Sequence, residues 1–414
     1  MNLGSQHRSA ALGAALVAGS LAALVLLGGC NEEAPPSLYN PTAPSGPQPV
    51  VTSVLPSDSL LATITMVTIT GQNFSPDPTQ DIVFFDATPA QIVSASATQL
   101  MVITPNLLSD SAKIRVSTRG SALFSDPPVV RRLLAAAVEF GKAKSDEDSY
   151  ALAVDNQGNV YVSRTQTSNG ANLGILKISP DGVRSDSVFS YSASVTKFSA
   201  LKVGPDGFMY GVRGLNALYR IPMTGGAPVL WTDPTLNGLG KLNDIDFDQA
   251  GNIWGAGDGT KIYRVTSGGL VKGFPYTATI RTLRVFNNNL YVGGKTGTQE
   301  GVWSFPIISS DSLGSPTLVW DNSAYYAPLS PAVTAVTFSA DGGMYVGVDA
   351  QDGILVVTGG VATPLYPGVI LPTPQSFAWS LGTDLYYSRG GAVYPHRVIR
   401  VNTLRQGAPY YGRQ

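Results

Sequence analysis

Side chains able to do covalent or metal chemistry are scarce in this chain of 414 residues, and the scarcity excludes several mechanisms. The histidines are His7 and His396 and the single cysteine is Cys30, so a zinc site, a disulfide framework and a cysteine nucleophile all lack partners. His396, in VYPHRVIR, is the one base available to a serine nucleophile beyond the N-terminal segment, and no G-x-S-x-G elbow accompanies it. It reads as a loop histidine at a turn. The alternation Asp244-Ile245-Asp246-Phe247-Asp248 imitates calcium ligands, but an EF-hand loop needs glycine after its third acid and Gln249 stands there. Ile245 and Phe247 instead fit a strand, with Asp248 as a turn acid. Ser145-Asp146-Glu147-Asp148 reads as a solvated loop. The run Gly255-Ala256-Gly257-Asp258-Gly259 joins two strand patterns, with no helix N-terminus after it to hold a phosphate. No catalytic residue, metal or cofactor is expected from these pieces.

With 27 Lys and Arg against 28 Asp and Glu, the chain has no basic excess with which to grip a nucleic-acid backbone, and nucleic acid is not an expected partner. A charged fraction of 13% is about half the globular norm, and 45 Gly with 29 Pro favour many short turns over long helices. These proportions point to an all-β protein, and the length to more than one core. The five tryptophans, Trp231, Trp254, Trp303, Trp320 and Trp379, fall mostly on strand patterns and read as core rather than as a sugar-stacking platform.

Residues Ala11 to Gly29 form an apolar run that ends Leu27-Gly28-Gly29-Cys30. It reads as a secretion signal, and its end resembles the bacterial lipobox. That resemblance implies cleavage of residues 1–29, a diacylglycerol on Cys30, and a membrane partner reached through the lipid. Asn31 after the cysteine is compatible with sorting to an outer membrane or cell surface. Residues 30–48 are Pro-rich and polar and read as an extended tether that holds the folded part off the membrane.

From 49 to 131 short alternating segments (TITMVTITGQNF, DIVFFDA, AQIVSASATQLMVITP, AKIRVSTRG) predict about seven strands and an Ig-like sandwich. The start VTSVLPSD, then TITGQNFS and the closing KIRVSTRG resemble the IPT/TIG family. Gly71 and Asn73 are assigned to a turn that needs positive φ.

From 132 to 414 the pattern repeats. LAVDNQGNVYVS, LKVGPDGFMYGV, IDFDQAGNIWGA, LRVFNNNLYVG, VTFSADGGMYVGV and FAWSLGTDLYYS each read as strand, tight turn and a second strand marked by an aromatic. The markers Tyr161, Tyr210, Trp254, Tyr291, Tyr345 and Tyr386 recur roughly every 45 residues, and a third strand follows each hairpin. Six copies predict a closed six-bladed β-propeller, because an isolated blade leaves its faces and an edge bare. The segment Leu133 to Phe140 is assigned as the outer strand of the last blade. The repeat resembles the NHL and gluconolactonase-like propellers.

Aligning the inner strands on their turn positions, Asp155, Gly204, Asp248, Phe286, Ser339 and Ser380, places Tyr150, Ser199, Asn243, Arg281, Thr334 and Gln375 five residues earlier, at one rim of the channel. There side chains from all blades meet in one pocket. In gluconolactonase-like families that ring carries divalent-metal ligands, and here only Asn243 matches. With no carboxylate and with Arg281 present, the ring suits a neutral, hydroxyl-rich or carboxylate-bearing ligand, Arg281 being the anion partner. Two alternatives stay open: the ring only hydrates the channel, or a bulged strand brings Asp244 or Asp148 to it as metal ligands. Three functions stay open as well. One is a surface lipoprotein that presents the propeller to a protein, glycan or small molecule; a second, implied by the resemblance, is a lactonase or hydrolase; the third is a passive structural component of a surface assembly.

Overall fold

A computed structural model describes residues 45–186, 189, 197–232 and 238–410. The signal segment, Cys30 and the tether up to residue 44 lie outside the described residues. Strands dominate throughout, and the regular helix among the described residues is one turn, Asn322–Tyr325.

The first unit pairs eight strands. Met66–Gln72 shows why they form: Val67 and Ile69 point inward and are fully buried while Met66 and Gln72 face water, the period of two expected of a half-buried strand. Thr88–Ser96 pairs with Asp81–Phe85 in one sheet and with Gln99–Ile103 in the other, so it carries the chain around the corner of a sandwich. The strand beyond the expected seven is the two-residue Leu60–Leu61, which runs parallel to Val129–Leu134. Asn73 does adopt a left-handed φ of 62°. Gly71 serves a different purpose from the one assigned: a Cβ there would lie 1.9 Å from the Val50 carbonyl oxygen, so glycine permits close strand approach rather than a turn.

The second unit is a ring of six four-stranded blades. Their inner strands are Asp148–Val154, Ala200–Val203, Asp244–Phe247, the second half of Val271–Phe286, Val333–Phe338 and Pro374–Trp379. Val271–Phe286 pairs with Asp258–Val265 through its first half and with Asn289–Thr296 through its second. One strand thus closes blade three and opens blade four without a loop, which explains the short interval between Trp254 and Tyr291. The segment assigned to ring closure divides. Leu133 and Leu134 pair within the sandwich, opposite Leu60 and Leu61, and only Ala137–Glu139 pairs with Arg397–Asn402 of blade six. The reason is packing: Leu133 is needed in the sandwich core beside Val54 and Ile114.

The turn acids hold the hairpins from inside. Asp155 accepts the backbone N–H groups of Gln157 and Asn159 on one oxygen, and the Asn159 amide and Tyr161 hydroxyl on the other, at 2.8–3.0 Å. Asp248 repeats the set with Ala250, Asn252 and the Trp254 indole N–H. Where blade six has Ser380, its Oγ accepts from the Gly382 and Asp384 N–H groups in the same way. Glycines at φ of about 80°, Gly158 and Gly251, turn the chain under each acid. In blades one and three, and in blade two through Asp206, a turn carboxylate receives the marker ring's polar hydrogen in an otherwise apolar blade. Asp248→Ala would orphan the Trp254 N–H and two backbone N–H groups, and is expected to destabilise by about 2–4 kcal/mol, read as a lower denaturant midpoint.

Four of the tryptophans are buried, and Trp231 packs beside Tyr210, as the core assignment requires. The acidic run 145–148 differs from its assignment. Glu147 is 1% exposed and pairs with Arg164 at 3.3 Å and Arg184 at 2.7 Å, with Asp186 bridging the same two guanidinium groups. Two arginines from the second and fourth strands of blade one supply the charge that lets a loop carboxylate leave water.

Candidate functional site

All six rim residues line one cavity of about 340 Å³, together with Ala151, Lys197, Phe198 and Thr373. The backbone explains how. In blades one, four, five and six the pairing register slips at the start of the inner strand, and Tyr150, Arg281, Thr334 and Gln375 sit in the slips. A bulge re-aims the side chain it carries, here toward the axis. In blades two and three, Ser199 and Asn243 stand just ahead of the strand, held by N–H bonds to the Val212 and Ala256 carbonyls at 2.8 Å. The slips do not bring Asp148 or Asp244 to the rim, and neither lines the cavity.

The charges differ from the sequence expectation. Arg281 is not a free anion partner: its Nη1 donates to Glu300 Oε1 at 2.6 Å, and that carboxylate, 3% exposed, also accepts the Val333 N–H at 2.8 Å. The cation left to the cavity is Lys197, whose Nζ lies 3.6 Å from the centre of the Tyr150 ring. His396 packs against the same ring at 5.2 Å, and burial holds its imidazole below the usual histidine range. Asn243 donates its amide to the Ile280 carbonyl at 2.8 Å, Ser199 donates to the Val212 carbonyl, and Thr334 Oγ1 is buried with no hydrogen-bond partner.

Beneath the rim the channel is closed by charge. Lys202 Nζ stands 3.8 Å from Asp244 and Arg284 Nη1 3.6 Å from Asp246, all four side chains being nearly buried. Asp244 also accepts from the Thr282 hydroxyl and the Leu283 N–H, and Asp246 from the Val285 N–H, so both of these blade-three carboxylates are fastened to blade four. Burial, with the Arg284 guanidinium beside it, holds the Lys202 ammonium below the usual lysine range. At the opposite mouth a smaller cavity of about 130 Å³ lies between Lys202, Asp246 and Tyr410, and the Tyr410 hydroxyl is bonded to the Trp379 carbonyl at 2.6 Å.

Sequence reasoning missed Lys197, Thr373, Glu300 and this charge ladder. Lys197 and Thr373 come from loops that no strand alignment reaches, and Glu300 stands at the start of the strand Gln299–Ser309, opposite Lys295, where its burial leaves no trace in periodicity. Asp244 and Asp246 carried a signal, two acids alternating with buried Ile245 and Phe247, but its meaning depends on cations from blades two and four. Among the described residues no group of three or more His, Cys, Asp or Glu side chains is placed to hold a metal, and no helix is long and apolar enough to cross a membrane.

Residues 49–130 match the IPT/TIG domain family. No curated protein matches the chain in sequence. Among solved structures it is similar to a Bacteroides thetaiotaomicron protein provisionally described as a phosphatase, at 9% identity over 86% of this chain and 97% of that one, with a TM-score of 0.54. It is also similar to regucalcin, a calcium-binding protein of Agrobacterium tumefaciens, at 12% identity over 67% and 96%, TM-score 0.50. A luciferin-regenerating enzyme matches at 15% identity over 66% of this chain and 98% of that one, TM-score 0.50. At such identities the likeness is one of fold.

Proposed function

We propose that this chain is a lipid-anchored binding protein of the cell envelope, and that its propeller takes a small hydroxyl-rich ligand in the rim cavity. One observation carries the reading: every blade delivers one side chain to the same cavity, four of them through backbone bulges that hydration of a channel would not require. With Ser199 and Asn243 already donating to the protein, the acceptor oxygens left to them favour ligand hydroxyl groups that donate to the cavity. Lys197 adds one cation for a carboxylate on the same molecule. The lactonase reading is the rival, and regucalcin, described as calcium-binding, shares the fold.

The test uses the mature chain carrying Cys30→Ser and a panel of sugars, sugar acids and lactones, followed by calorimetry. A panel member is expected to bind, and Thr334→Val and Asn243→Ala are each expected to weaken it at least roughly tenfold with an unchanged melting temperature. No binding by any member, or equal affinity in both variants, would refute the site. Calcium-dependent lactone turnover lost in Asn243→Ala would replace binding by hydrolysis. In cells, Cys30→Ser is expected to release the protein from membranes, since one thiol carries the acyl chains; labelled fatty acid still incorporated into that variant would remove the anchor.

A further inference from the structure

The sandwich exposes an apolar face that its own core does not need. Ile82 lies opposite Ser117, Phe84 opposite Arg115, and Val130 opposite Lys113, so these outward side chains share one sheet surface. The loop that follows folds Phe124 onto Phe84, ring centroids 5.8 Å apart, and leaves Leu123 60% and Phe124 47% exposed. Lys113 and Arg115 form no ion pair among the described residues, and Arg119 stands exposed at the start of the loop. Against these bases stand Asp86, bonded to the Lys113 N–H at 2.8 Å, and Asp126. The face is therefore apolar with a basic excess.

The described chain begins at this same loop. The Gly46 N–H donates to the Gly120 carbonyl at 2.6 Å, the Ala122 N–H to Ser45 Oγ at 3.0 Å, and the Gln48 amide to the Phe124 carbonyl at 2.7 Å. Fourteen residues lie between Cys30 and Ser45, a reach of at most about 50 Å. We infer that this sandwich face, built from Ile82, Phe84, Val130 and the Leu123-Phe124 loop with Lys113 and Arg115 beside them, lies against an anionic bilayer. The identity of that surface rests on the lipid-anchored reading above. Aliphatic and aromatic side chains enter the headgroup region while lysine and arginine meet lipid phosphates, each basic residue contributing roughly fivefold in affinity. The tether would then lead to a docked sandwich rather than hold it off.

Sedimentation of the mature Cys30→Ser chain with vesicles of phosphatidylethanolamine containing about a quarter phosphatidylglycerol tests the surface without help from the lipid anchor. Binding is expected, weakened by salt, and reduced roughly tenfold or more in Lys113→Glu/Arg115→Glu and in Leu123→Ser/Phe124→Ser, with melting temperatures retained. Absence of vesicle binding by the unsubstituted face, or equal binding by both double variants, would overturn the inference. So would concentration-dependent self-association lost in the same variants, which would make a second copy the occupant. Fatty-acid labelling at Cys30 reads the anchor separately: vesicle binding without labelling keeps the face and discards the anchor, and labelling without vesicle binding does the reverse.

Discussion

A chain truncated to begin at Ala135 is expected to fold its propeller and melt cooperatively, and one begun at Gly141 is expected to lose that transition. The six residues between the two starts contain Ala137–Glu139, the outer strand of blade six, whose Val138 lies opposite Arg400. Phe140 then donates its N–H to the Val398 carbonyl at 2.8 Å and packs its ring 4.8 Å from that of Tyr386. It belongs to one buried cluster with Leu152 and Val160 of blade one and Ala378 of blade six, so it bridges the seam where the ring's two ends meet. Without these residues blade six has a bare edge and the seam loses its aromatic bridge. Calorimetry and near-ultraviolet circular dichroism on the two truncated chains decide it. Matching melting temperatures would show that the ring closes without this strand.

Asp244→Ala is expected to cost the propeller about 3–5 kcal/mol, because it leaves a buried lysine unpaired and removes the acceptor of the Thr282 hydroxyl and the Leu283 N–H. For a ring of this size that corresponds to a fall in melting temperature on the order of 10 °C. Asp244→Asn should fall less, since an amide oxygen still accepts the two hydrogen bonds, and Lys202→Met added to it should recover part of the loss by removing the stranded ammonium. A melting temperature within about 2 °C of the parent for Asp244→Ala would mean that the ladder contributes little beyond filling space.

Much of the architecture was legible because blade repetition is a statement about periodicity. Alternating apolar residues and a marker aromatic recur in each copy and a turn acid in some, and each has a local cause: the pleat of a strand, a ring that fills the blade, and in blades one and three a carboxylate that accepts both the turn's N–H groups and the ring's polar hydrogen. The rim ring was legible for the same reason. Equivalent positions in equivalent blades face one axis, so counting back from the turns reached Tyr150, Ser199, Asn243, Arg281, Thr334 and Gln375, and these do line one cavity.

Sequence by itself thus determined the strand pattern, the number of blades and which residue of each blade reaches the rim, since all three follow from spacing along one chain. Tertiary structure alone decided the charge of the site. Arg281 is neutralised by Glu300, Lys197 arrives from a loop, and Glu147 is buried between two arginines. Whether a carboxylate is solvated or buried depends on which cation the fold sets within about 4 Å of it, and that distance is set by packing between strands that are remote in sequence. The division of Leu133 to Phe140 between sandwich and propeller has the same origin. Eight residues of one strand-like pattern serve two cores, because two units compete for them and only packing assigns the leucines to one and the strand Ala137–Glu139 to the other.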